Sequence, residues 1–113
     1  MGMKYLSAGL MCLFVVSASA AETIRFWNLA SETVTSIRLA RSGTGDFGTD
    51  LAKIDADGEV DHDERLAIKN LSPGLYDASI TFKSGRACLV NKINIEAGSI
   101  FSVEEKDLVS CRK

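Results

Sequence analysis

The sequence predicts an all-β domain, a small antiparallel β-sandwich of six or seven short strands with one disulfide. Three observations lead there. Apolar and polar residues alternate with period two in several short runs downstream of residue 22. Turn residues punctuate those runs about every 8–12 positions, the spacing of sandwiches and small barrels. Two cysteines, Cys88 and Cys111, remain once the N-terminal segment is set aside, and an even pair in an oxidising compartment reads as a staple.

The chain opens MGMKYLSAGLMCLFVVSASAAE. One charge, Lys4, precedes an apolar run from Leu10 to Val16, and small residues end in Ala18-Ser19-Ala20. This is the layout of a secretory signal peptide over residues 1–20, with cleavage after Ala20 or Ala21. The apolar run is too short for a lasting span of a bilayer about 30 Å thick, and Cys12 lacks the small residues of a lipoprotein cleavage site. The expectation is export, to a periplasm or beyond, of a single domain covering residues 21–113.

Within that domain, residues 23–29 (TIRFWNL) place Ile24 and Phe26 against Arg25 and Trp27, and Asn28 with Ala30-Ser31-Glu32 turns the chain. Residues 34–40 align Ile37 and Leu39. Residues 41–48 (RSGTGDFG) form a glycine-rich loop with Phe47 as its one anchor, and residues 49–54 form a short strand or a turn of helix. Residues 64–71 align Leu66, Ile68 and Asn70. Ser72-Pro73-Gly74 reads as a type II turn, proline presetting φ and glycine taking the positive φ. Residues 75–82 (LYDASITF) give the cleanest alternation, with Tyr76, Ala78, Ile80 and Phe82 on one face. Lys83-Ser84-Gly85-Arg86 is a hairpin connection, residues 87–95 return with Leu89, Ile93 and Ile95 aligned, and residues 99–104 offer Phe101 and Val103. The C-terminal segment brings Leu108 and Val109 toward the core and ends in Cys111. A disulfide from Cys88 to Cys111 closes a loop of roughly 20–25 residues and contributes about 3 kcal/mol.

The pattern L-x-P-G-x-Y, here Leu71, Pro73, Gly74 and Tyr76, resembles the turn-then-strand signature of prealbumin-like and immunoglobulin-like sandwiches. The whole layout resembles small exported bacterial β-sandwich proteins that end in a cysteine. The resemblance implies the fold and carries no functional residue with it.

Composition narrows the function classes. Without Lys4 the chain holds 12 basic and 15 acidic residues, a net charge of −3. No basic cluster is present to neutralise a phosphate backbone or an anionic lipid surface, so neither nucleic acid nor membrane is an expected partner. Serines are many, but G-x-S-x-G, S-x-x-K, H-E-x-x-H and glycine-rich phosphate loops do not occur, so no enzyme is expected.

One stretch has a chemical signature. KIDADGEVDHDE, residues 53–64, carries six carboxylates around Gly58. With Gly58 at position six of an EF-hand loop, oxygen-bearing residues fall at most of the required ligand positions, but Lys53 stands where the first aspartate belongs. The glycine-rich segment upstream cannot supply the entering helix. What remains is an acidic inter-strand loop, with Asp55, Asp57, Asp61 and Asp63 as the ligands of a weaker calcium site if there is one. No other cofactor is expected. His62, the only histidine, reads as an exposed loop residue. Trp27 reads as a core residue of a two-sided sandwich or as an exposed aromatic rimmed by Arg25, Arg38 and Arg41. Trp27, Phe47 and His62 are therefore the candidate interaction surface. The functional expectation is an exported binding module without catalysis, whose loops at 41–48 and 54–63 meet an unknown protein or small ligand. The alternatives are a calcium-binding protein using residues 55–64, and an inhibitor of a secreted enzyme.

Overall fold

A computed structural model describes residues 22–113. The expected signal peptide lies outside the described residues. Seven strands form: β1 (Ile24–Leu29), β2 (Val34–Arg41), β3 (Arg65–Ile68), β4 (Gly74–Phe82), β5 (Ala87–Ile95), β6 (Ile100–Glu104) and β7 (Val109–Arg112). They make two sheets, a three-stranded one in the order β3-β1-β6 and a four-stranded one in the order β2-β4-β5-β7. Neighbours are antiparallel except β1 and β6, which run parallel with Phe26 opposite Phe101. The disulfide Cys88–Cys111 is formed and ties β5 to the edge strand β7.

The core follows from the alternation. Ile24 and Phe26 of β1, Leu66 and Ile68 of β3, and Phe101 and Val103 of β6 face Ile37, Leu39, Tyr76, Ala78, Ile80 and Phe82 of the other sheet, all buried. Phe26 and Phe101 lie 5.5 Å apart between ring centroids. The valine, leucine, isoleucine and phenylalanine side chains among them each contribute roughly 1.5–3 kcal/mol when fully buried.

Several local expectations need correction. In β5 the core residues are Cys88 and Val90 rather than Leu89, while Ile95 is buried as expected. The cause is a bulge: Tyr76 pairs Ile93 but Ala78 pairs Val90. Lys92 has φ 59° there, so the alternation changes phase. Asp77 holds the bulge, its carboxylate accepting from the amides of Lys92 (2.9 Å) and Gly43 (3.0 Å) and from Ser42 Oγ (2.9 Å). Those bonds set its carboxyl below the usual carboxylate range, the Gly43 amide first.

The turn before β4 is not type II, since Gly74 has φ 156° where that turn needs about +80°. Instead Tyr76 Oη donates to the Ser72 carbonyl at 2.6 Å, a tyrosine closing its own turn as in Greek-key sandwiches. Asn70 is exposed beyond the end of β3, and Val109 is 41% exposed, while Leu108 packs on the core. Residues 49–54 resolve into a short 3-10 turn, Leu51–Ile54, capped by Asp50.

Residues 48–60 also close an edge. Gly48 N donates to Leu39 O at 2.9 Å, Asp50 Oδ1 accepts from Ile37 N at 3.0 Å, and Val34 and Val60 exchange two bonds of 2.9 Å. The free side of β2 is thereby occupied by the chain's own backbone and one carboxylate, which shields it from pairing with other molecules.

Candidate functional site

The acidic loop begins at Asp55 and ends where β3 starts. Gly58 has φ 75°, a left-handed turn that glycine takes without a Cβ penalty. A Cβ there would lie 4.0 Å from Lys53 Nζ, and the same ammonium is 3.9 Å from Asp50. Lys53 thus lies against the loop it prevents from matching a calcium motif.

The four aspartates named as ligands do not converge. Asp55 Oδ1 accepts from Asp57 N at 3.3 Å and Asp57 Oδ1 from Glu59 N at 2.9 Å, folding the loop on itself. Asp61 Oδ1 takes Thr33 Oγ1 at 3.0 Å and Asp63 Oδ1 takes the indole Nε1 of Trp27 at 3.0 Å, tying the loop to the strands. Among the described residues no three Asp, Glu, His or Cys side chains are gathered to hold a metal ion. Glu64 and Asp55 instead form a carboxyl–carboxylate pair. The Asp61 amide, donating to Glu64 at 2.8 Å, works to lower the Glu64 carboxyl. Desolvation, the bond to Asp55 and the charges of Asp55 and Asp57 together outweigh it and raise it. Asp55 is lowered, first by that same bond and then by the Asp57 amide.

His62 is exposed and its Nδ1 sits 2.7 Å from the Ala30 carbonyl, so Nδ1 carries the proton and donates. Phe47 does not join it. Gly48 is bonded to Leu39 near the C-terminal end of β2, whereas Ala30 precedes the N-terminal end. Leu39 lies five residues along β2 from Val34, a separation of roughly 17 Å along the strand. Phe47 is 36% exposed and anchors nothing in the core cluster; polar bonds around Asp77 and Thr44 hold its loop. The loops at 41–48 and 54–63 therefore occupy opposite ends of the sandwich.

Trp27 points away from the core, on the outer face of the three-stranded sheet, half-buried. Arg65, directly opposite it on β3, stacks its guanidinium 4.1 Å from the indole centroid. Asp63 fixes the ring edge and has φ 70° to do so, its amide donating to Asn28 O at 2.6 Å. An aspartate tolerates that backbone conformation better than most residues. Arg25 lies one outward step along β1, and across from it are Ala67 on β3 and Ile100 on β6, the latter 50% exposed. Arg25 and Arg65 have no carboxylate within ion-pair distance among the described residues. Of the arginines expected to rim the tryptophan, only Arg25 shares its face. Arg38 and Arg41 belong to the other sheet and donate to Gly48 O and Pro73 O.

Two polar groups do more than the sequence shows: Asn28 turns the chain as expected and also reaches the acidic loop, and Arg86 joins a cluster of carboxylates. Asn28 is fully buried, its amide nitrogen donating to the Glu32 and Val60 carbonyls at 2.9 Å each while Oδ1 accepts from Ala30 N. It welds the first turn to the middle of the acidic loop at Val60. Arg86 makes two parallel bonds to Glu105, 3.1 and 2.9 Å, contacts Glu32 at 2.9 Å and stacks on Phe82. Glu105 also accepts from Ser31 N and Oγ. Arg86 and the Ser31 amide pull the Glu105 carboxyl down to about 2.

No pocket opens among the described residues. No protein-family model matches the chain, and no curated protein or solved structure matches it significantly.

Proposed function

We propose that this chain is an exported binding module without catalytic activity, and that it engages a macromolecular partner through the outer face of the β3-β1-β6 sheet. The observation that carries this reading is the preorganised Trp27, held by Arg65 over its ring and Asp63 at its edge, with Arg25 and Ile100 beside it. Tryptophan and arginine are the residues most enriched among interface side chains that dominate binding energy, and those side chains work best when immobilised beforehand. The Cys88–Cys111 bond and the signal-like N-terminal segment support the exported compartment. Among the described residues no helix is long and apolar enough to cross a membrane.

A photo-crosslinking residue placed at Ala67, on the edge strand β3 directly opposite Arg25, tests the reading in the secreting cell. Crosslinked partner from position 67 and none from Asp46, in the loop at the far end, is the expected result. Equal labelling from both positions, or none from position 67, sinks it.

A further inference from the structure

Resting on that reading, we infer that the outer face binds an acidic segment of a partner protein, one in which carboxylates occur at every second residue. Charge points to the class. The protein is net acidic, yet this face presents Arg25 and Arg65, both exposed and both without an ion-pair partner among the described residues. Of the carboxylates bordering the face, Asp63 is engaged by the indole N–H, and Glu104 stands at the other end of β6 from Ile100, opposite Leu29. An arginine stacked on an aromatic ring keeps the N–H groups of its planar fork directed sideways, in the geometry that grips a carboxylate with two bonds.

Spacing points to the pattern. Arg25 stands opposite Ala67, two positions from Arg65 on β3, so the two arginines are diagonal cross-strand neighbours about 7–8 Å apart. Alternate side chains of an extended peptide are roughly 6.6 Å apart on one face. An acid-x-acid segment laid across the strands therefore meets both guanidinium groups at once. Ile100, on the far side of Arg25, offers apolar contact to the residue beyond. The ring geometry argues against a sugar: with Arg65 over one face and Asp63 on its edge, Trp27 does not offer the open ring that sugar stacking uses.

Trp27 is the only tryptophan of the chain, so its fluorescence reports on Arg65 directly. A short capped peptide alternating glutamate with serine, titrated into the full chain, is expected to change that emission saturably, and its glutamine counterpart is not. Arg25→Glu and Arg65→Glu are each expected to weaken binding about tenfold or more, with Lys106→Glu, away from the face, as the control. Among the described residues Arg65 and not Arg25 stacks on the indole, so the Arg25 variant separates lost affinity from lost signal, and calorimetry gives the same affinities without the fluorophore. Three results overturn the inference: no response to the peptide; tighter binding of a uronic-acid oligosaccharide than of the peptide; or concentration-dependent self-association that Arg65→Glu abolishes while the peptide has no effect. If position 67 still crosslinks a partner when the peptide fails, the binding face stands and only its acidic partner falls.

Discussion

Glu105 and Glu64 sit at the same end of the sandwich and differ in what faces them. Glu105 meets a guanidinium and a serine; Glu64 meets a second carboxyl group. The first clamps three segments of chain, at Ser31, Arg86 and Glu105 itself. The second leaves two like-charged groups in contact, so that one of them favours keeping a proton. The same residue type is thus a staple where a cation crosses its path and a source of repulsion where none does. The rest of the acidic stretch follows a third course: Asp57, Asp61 and Asp63 each accept from a separate donor, and the loop is held by those separate bonds.

The strongest way to break this contrast is to remove the cation. Arg86→Ala leaves Glu105 and Glu32 facing each other and uncovers Phe82. Because Glu105 is 44% exposed, solvent moderates the loss, and about 1–2 kcal/mol is expected, a fall of roughly 5–15 °C in Tm. Calorimetry showing less than a couple of degrees of change would remove the clamp from the account.

The next test is acid. Glu105 is held at about 2, below its ordinary value of 4.5, so its contribution is present above that ordinary value and disappears as pH falls toward 2. Screening limits it to about 1 kcal/mol. Glu105→Gln is expected to lower Tm at neutral pH and to converge on the parent near pH 2; parallel curves down to that pH contradict the assignment.

Glu64 has the opposite sign. Its carboxyl is raised, so its contribution is present below the ordinary glutamate range and is lost as pH rises through the raised value. Glu64→Gln keeps the acceptor for Asp61 N and removes the repulsion. A small gain in Tm at pH 7 that vanishes at pH 4 is the expected pattern, and a loss at pH 7 refutes the pairing. The smallest effect belongs to calcium. With the aspartates committed to separate donors, about 1 mM calcium is expected to leave Tm unchanged within about a degree; a clear rise would mean that the loop reorganises around the ion.

How much of this is legible in the sequence depends on whether a feature is local. The alternations of β1 and β4 identify their buried faces because each strand lies flat against one core. The alternation of β5 misleads at Leu89 because the bulge at Lys92 is fixed by Asp77, a residue on another strand. Phe47 and Val109 look like core residues by type, but nothing in their neighbours' identities shows that the chain leaves them at the surface. Trp27 could be placed on the outward phase of β1, yet its partners Asp63 and Arg65 arrive only through the β1–β3 register. Arg86 and Glu105 carry no periodic signal at all, being brought together by two different connections. The acidic stretch is the loudest motif in the sequence, but its spacing does not show that its aspartates accept from separate donors or that its backbone covers the edge of β2.

The parallel pairing of β1 with β6 has a consequence in time. A chain delivered from its N-terminus presents Ile24–Leu29 first, yet one whole side of that strand is completed only when Ile100–Glu104 emerges. Until then Phe26 lacks the ring of Phe101, and the central strand of its sheet is an open template. Such a domain closes late and all at once, as contacts between distant segments dictate. Its exposure to misassembly is accordingly greatest just before the segment from Ile100 onward appears.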